Sequence, residues 1–234
     1  MVVPARDEAR SVGACVKSVR KALRWSGADG RIVVVADCCS DETAALAREA
    51  VGGDGEVVIS RVGRAGAARR LGAARLLTAD GTDPARTWLA TTDADGIVPP
   101  DWLRTQLALA DAGAAAVAGI VVLDDAADDL VAARHRATYA LHADGTHPHV
   151  HGANLGVRGD AYLDAGGWCR DLCVGEDHRM WARLKERRWP VVSATCSWVT
   201  TSSRPESRVD GGFASDLRAL GVRATADAPL GIAG

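Results

Sequence analysis

Short runs of β-branched and aliphatic residues alternate along the chain with longer stretches of Ala, Leu and Arg. The short runs read as strands and the longer stretches as helices. Strands are predicted at Val2–Val3, Ile32–Ala36, Val57–Ser60, Trp88–Thr91, Ala116–Leu123, Gly152–Val157 and Val191–Ala194. Helices are predicted at Glu8–Trp25, Glu42–Ala50, Ala65–Ala79, Pro100–Ala112, Ala126–Leu141, Arg158–Ala165 and Glu176–Arg187. Apolar runs such as Ile32–Val35 suit strands covered on both faces, so the pattern predicts an α/β domain with a mostly parallel sheet and crossover helices. Asp41, Glu42 and Thr43 mark one helix start, and Pro100 followed by Asp101 marks another. No Ser/Gly/Pro linker or internal repeat divides the 234 residues, so one domain is expected.

A hydrophobic fraction of 47% beside 25% charged residues is a globular balance, which excludes a tail or fibre. The net charge of -2 gives no global positive field to gather nucleic acid or an anionic membrane, so any phosphate binding must be local. The apolar run at 112–123 is too short for a bilayer span, which takes roughly 20 residues. The first residues carry no basic start with a long apolar stretch behind it, so a cytoplasmic location is the expectation. The six cysteines follow no paired C-x-x-C spacing of a zinc or redox site.

The most informative segment is TWLATTDADGIVPPDWL, residues 87–103. An apolar strand runs into Asp93 and Asp95, spaced i and i+2 before a glycine and a helix start. In an extended strand these two share a face and both reach one cation at the C-terminal edge of the sheet, where ligands of open α/β sheets bind. Two carboxylates leave a hard divalent ion with positions free for phosphate oxygens. An isolated D-x-D is ordinarily a solvated acidic turn; its company changes that reading.

VVPARDEA (2–9), IVVVADCCSDET (32–43), RVGRAGAARRLGAA (61–74), TTDADG (91–96), HGANLGVRGDAYLDAGGW (151–168) and VGEDHRMWARLKERRWPVV (174–192) follow one another in the order and spacing of GT-A glycosyltransferases. They most resemble the large inverting family 2. The resemblance covers residues 2–195 and implies a single GT-A domain of Rossmann-like character. Residues 1–95 would be the nucleotide-binding half, 96–199 the acceptor and catalytic half, and 200–234 a flexible flap.

By that resemblance, Pro4, Ala5 and Arg6 lie against base and ribose, Glu8 bonds the ribose and Asp37 faces the base. Asp93, Ala94 and Asp95 form the metal motif, with Asp95 and Asp93 as ligands of Mn2+ or Mg2+. Arg69 stands at the family's A-R-N position and is expected on the diphosphate, beside a helix N-terminus. Gly152 and Asn154 line the sugar pocket. Asp177 is the expected general base, worth about 10²–10⁴ in rate, and Glu176 the less favoured one. Ala36 and Cys39 replace the first acid and the glycine of the family's D-D-G-S text, and Asp41 is as well explained by a helix cap. Trp168 is the expected sugar-stacking indole.

His147, His149 and His151 alternate on one face of an extended segment, which suits a polar pocket wall better than zinc. His178 or His151 is a candidate further metal ligand. Arg204 and Arg208, with Gly211 and Gly212, read as a flap over the diphosphate. The Q-x-x-R-W text of processive synthases is missing, which speaks against polymer synthesis.

The reading is therefore a transferase moving a sugar from a UDP- or GDP-sugar to an acceptor hydroxyl with inversion, with no nucleic-acid partner. A retaining GT-A transferase and a non-catalytic nucleotide-sugar binding protein are the alternatives. A nucleotidyltransferase would need a G-x-G-x-R loop where Pro4–Glu8 stands.

Overall fold

The computed structural model describes residues 1–79, 81–124 and 141–203, together with Ala133, His135 and Ala137. The predicted helix over 126–141 lies almost wholly outside the described residues, as does the flap beyond Ser203 with Arg204 and Arg208.

Seven strands form one sheet: β1 Val2–Ala5, β2 Ile32–Asp37, β3 Gly55–Ser60, β4 Trp88–Thr91, β5 Ala116–Leu123, β6 Leu155–Arg158 and β7 Val191–Thr201, in the order β3-β2-β1-β4-β6-β5-β7. β1 pairs in parallel with β2 and β4, β2 with β3, and β5 with β7. β6 alone runs against its neighbours, with Thr91 of β4 beside Leu155 and Ala118 of β5 beside the same residue.

The helices are α1 Val12–Ser26, α2 Thr43–Val51, α3 Ala65–Leu77, α4 Trp102–Asp111, α5 Gly159–Asp164 and α6 Glu176–Glu186. Because side chains alternate along a strand, β2 sends Ile32 and Val34 into a core with α1, α2 and α4, and Val33 and Val35 to the other face against Ala68 of α3. A further cluster on that second face joins Ala73 of α3 to Leu89, Leu155 and Val157 of the sheet and to Met180 and Leu184 of α6. Two covered faces explain why β2 is apolar at five successive positions. Close approach of α3 needs Gly72, where a Cβ would stand 2.5 Å from Val2 Cγ1.

Two predicted elements come out differently. Gly152–Asn154 is a 3-10 turn, and the strand begins at Leu155. β7 runs seven residues past the predicted end at Ala194. Gly119 pairs with Ala194 but Ile120 pairs with Trp198, so Thr195–Ser197 bulge out of register. The bulge rests on Gly119, where a Cβ would meet Ser197 O at 2.4 Å. The period-two pattern breaks there, which is why the sequence reading stopped early.

Candidate active site

The ends of β1, β2, β3 and β4 and, because it runs the other way, the beginning of β6 meet on one edge of the sheet. Pro4–Arg6, Asp37, Asp93–Asp95, Gly152 and Asn154 all stand on or next to that edge. Thr91 Oγ1 ties β4 to the β6 approach by donating to Gly152 O at 2.7 Å.

Asp93 and Asp95 do not lie on an extended strand as expected. β4 ends at Thr91, and Asp93–Gly96 form a turn closed by Gly96 N donating to Asp93 O at 3.0 Å. Both acids are half-buried, and Ala94 between them is buried; burial raises the pKa of the Cys15 thiol beneath, and the charges of Asp95 and Asp93 add to the rise. The loop beyond is pinned to β7 by reciprocal backbone bonds between Ile97 and Thr200 at 2.8 and 2.9 Å.

Arg69 is the hub. It is 4% exposed, with Nη2 donating to Asp93 Oδ1 at 2.5 Å and Nη1 to Glu176 Oε1 at 2.5 Å. Burial opposes its charge, but the carboxylates of Asp93 and Glu176 outweigh it and raise its pKa. The guanidinium lies over the Trp168 ring, 5.3 Å from its centroid. On another side lies Gly152, where a Cβ would come within 2.7 Å of Arg69 Cζ. Caged in this way, Arg69 has both terminal nitrogens engaged by carboxylates where the sequence expected a diphosphate; the exposed cations next to the start of α3 are Arg61 and Arg64. Trp168, 1% exposed, is a wall of that cage and not a platform for a sugar.

Glu176 and Asp177 open α6 and differ in their surroundings. Glu176 is buried on Arg69, and burial raises its pKa against the opposing pull of that arginine, with Asp177 adding to the rise. Asp177 is half-buried; Oδ2 accepts from Gly152 N at 2.8 Å and Oδ1 from His178 N at 2.7 Å, which fixes the group and leaves a lone pair on each oxygen.

Several residues expected on the ligand are spent on the frame. Asn154 is fully buried: its Oδ1 accepts from Trp102 Nε1, Gln106 Nε2 and Ser197 Oγ, while its Nδ2 donates to Ile120 O and Ser197 O. No capacity remains for a sugar. Asp37 accepts from Val62 N at 2.8 Å and Gly63 N at 2.9 Å, holding the β3–α3 loop where the sequence expected a contact with the base. Glu8 is buried and accepts from Ser11 Oγ at the entry to α1. Asp41 accepts from Thr43 N, the first residue of α2, and from Ala9 N. Pro4 is half-buried, Ala5 buried and Arg6 exposed. Gln106 and Trp102, which hold Asn154, escaped the sequence reading; a Gln on the apolar face of a helix, four residues after a Trp, was the available signal.

Among the described residues, one trio, Asp7, Cys39 and Asp41, brings three ligand-type atoms within 4.8 Å of one another. It does not suit a hard cation, because the protonated Cys39 thiol donates to Ala5 O, and the acids bind Ser40, Ala9 and Thr43. Asp93 and Asp95 suit one better. They are oxygen donors, Asp93 Oδ2 makes no hydrogen bond among the described residues, and around them Asp93, Glu176 and Asp177 face a single Arg69.

His147, His149 and His151 stack face to face, with ring centroids 6.2 and 5.9 Å apart. Burial, opposed by Asp177, takes His151 down to about pKa 4, and burial also lowers His147.

Residues 1–218 match the sequence profile of the family described as Glycosyltransferase like family 2. The chain belongs to that family. The architecture of this glycosyltransferase-like family 2 chain is the GT-A fold, shared with S. aureus TarS 1–349 at TM-score 0.64 and 14% identity over 87% of this chain and 60% of that one. It is likewise similar to mannosyltransferase PcManGT from Pyrobaculum calidifontis, solved with GDP-Man and Mn2+, at 0.62 and 16% over 88% and 57%. GalNAc-T7, solved with UDP, GalNAc and Mn2+, gives 0.63 and 16% over 90% and 44%. The chain thus spans about half the length of these proteins. Comparison with curated proteins gives no significant sequence match. No helix among the described residues is long and apolar enough to cross a membrane.

Proposed function

We propose that the chain transfers a sugar from a nucleotide-diphosphate donor to an acceptor hydroxyl with inversion, using Asp177 as general base and a cation site at Asp95 and Asp93. The observation that carries this reading is the buried bridge from Asp93 through Arg69 to Glu176, which sets the neighbouring Asp177 on the edge that holds the metal motif. Donor binding in this reading uses the β1 loop with Arg6, the α3 N-terminus with Arg64, and the Asp93–Gly96 turn. A Mn2+ or Mg2+ ion held by Asp95 and Asp93 Oδ2 would compensate the charge that grows on the departing diphosphate. Asp177 takes the acceptor proton on an oxygen held by a backbone amide, while Glu176 is a positioning residue, because it is buried against Arg69 and turned from solvent. Gly152 serves as the joint between base and bridge: its amide holds Asp177, and its missing side chain makes room for Arg69.

The relatives solved with GDP-Man and with UDP and GalNAc make those two nucleotides the first donors to test. Thermal-shift titration with UDP and GDP, with and without Mn2+, is expected to show stabilisation that needs both, since a ligand of the native state raises its apparent stability. Proton NMR of the product is expected to show the inverted anomer. A retained anomer removes Asp177 from its role, and stabilisation by neither nucleotide overturns the donor assignment.

A further inference from the structure

We propose that the outward face of α1 is a docking surface for an anionic lipid bilayer. α1 carries no acidic residue in its 15 positions. Its buried side, Val12, Cys15, Val16, Val19, Ala22 and Leu23, is fully used against the sheet. The opposite side presents Lys17, Lys21 and Arg24 at i, i+4 and i+7, with Arg20 beside them and Trp25 at the end; these five line one shallow open recess.

Arg20 is tied to the fold through Ala50 O and Asp54, but two other features of this face stand apart from the packing beneath it. Lys17 and Lys21 stand four apart with like charge, an arrangement that weakens a helix, and neither makes an ion pair among the described residues. Asp54 is the acid that answers the stripe, bonding Arg20 at 2.6 Å and the largely exposed Arg24 at 3.1 Å. Trp25 leaves 55% of its surface in water, whereas Trp102 and Trp168 are fully buried. A chain of net charge -2 thus gathers cations on one helix face and ends it with an unburied indole.

Anionic headgroups complement that face. Cations at the surface hold the phosphates, and an indole at the rim sits in the interfacial layer with its ring toward the acyl region and its N–H toward water. A nucleic-acid strand fits less well, since Lys17 to Trp25 spans only about 12 Å of helix rise and carries a single aromatic group where a strand needs a series of them. The face includes none of the residues of the candidate active site, so the docking and the transfer reading stand or fall separately.

The test is co-sedimentation of the full chain with vesicles of phosphatidylcholine alone and with about 30% phosphatidylglycerol, at about 0.1 M salt and again at high salt. Binding is expected only to the anionic vesicles and is expected to be lost at high salt. One cation near such a surface corresponds to about fivefold in partitioning, so Lys17→Glu/Lys21→Glu is expected to bind at least about 25-fold more weakly. Trp25→Ser is expected to weaken binding while leaving its salt dependence in place. Unchanged melting temperature and circular dichroism establish that both variants are folded; as surface changes they are expected to be neutral to the fold. Equal partitioning to neutral and anionic vesicles, no binding to either, or wild-type binding by the double variant overturns the proposal. So does preferential binding of a single-stranded RNA that the same variants abolish.

Discussion

Arg69 and Glu176, 107 residues apart in the chain, meet at 2.5 Å inside the protein, and the same guanidinium holds Asp93 with its other terminal nitrogen. One side chain from α3 thereby joins the Asp93–Gly96 turn to the start of α6. A buried charge left without its partner is costly, so Arg69→Ala is expected to destabilise the fold by about 3–5 kcal/mol. Arg69→Lys keeps the charge but cannot span both carboxylates and is expected to fall between the two. Urea denaturation checks the order; a wild-type midpoint for Arg69→Ala would contradict the bridge.

Asp177→Asn preserves the acceptor oxygen for the Gly152 amide and removes the proton acceptor. Transfer is expected to fall by about 10²–10⁴ in kcat, with donor affinity and melting temperature near wild type. Single-turnover kinetics beside a donor titration separate these effects. A parallel loss of donor affinity would mean that Asp177 belongs to the donor pocket.

Asp95 is half-buried and lies outside the Arg69 bridge. Asp95→Asn is expected to abolish the Mn2+-dependent part of the thermal shift given by the preferred nucleoside diphosphate. An undiminished Mn2+ response would place the cation elsewhere.

His151 takes up a proton near pH 6.5 when unfolded but only near pH 4 in the folded chain. Between those values the unfolded state holds more protons, so stability is complete above pH 6.5 and is lost as the pH falls toward 4. From pH 6.5 to pH 5 the loss from this residue is about 2 kcal/mol, and His147 shifts in the same direction. His151→Gln is expected to flatten that part of the profile, read as denaturation midpoints at pH 7 and pH 5. The two midpoints differing as much as in wild type would assign the acid sensitivity to other groups.

The fold was legible where apolar runs were long and regular. β4 and β5 agree with the sequence to the residue, and β2 needed one more residue at its end. What escaped was irregular: the bulge at Gly119, set by backbone crowding, and the 3-10 turn at Gly152. For the site, the motif residues gather on one edge of the sheet, but their side-chain partners were not legible. Nothing local in A-A-R-R says that Arg69 points inward to carboxylates from two distant segments, because that choice is made by the packing of α3 on the sheet. Asn154 misled for the same reason, since its partners Trp102, Gln106 and Ser197 come from other elements.

The reversed direction of β6 decides which residues meet at the rim. Since β6 begins on the edge where β4 and β5 finish, its approach through Gly152 arrives on the same rim as the Asp93–Gly96 turn, and Arg69 touches both. A parallel β6 would start from the opposite rim and carry away both the Gly152 amide that holds Asp177 and the gap that admits Arg69.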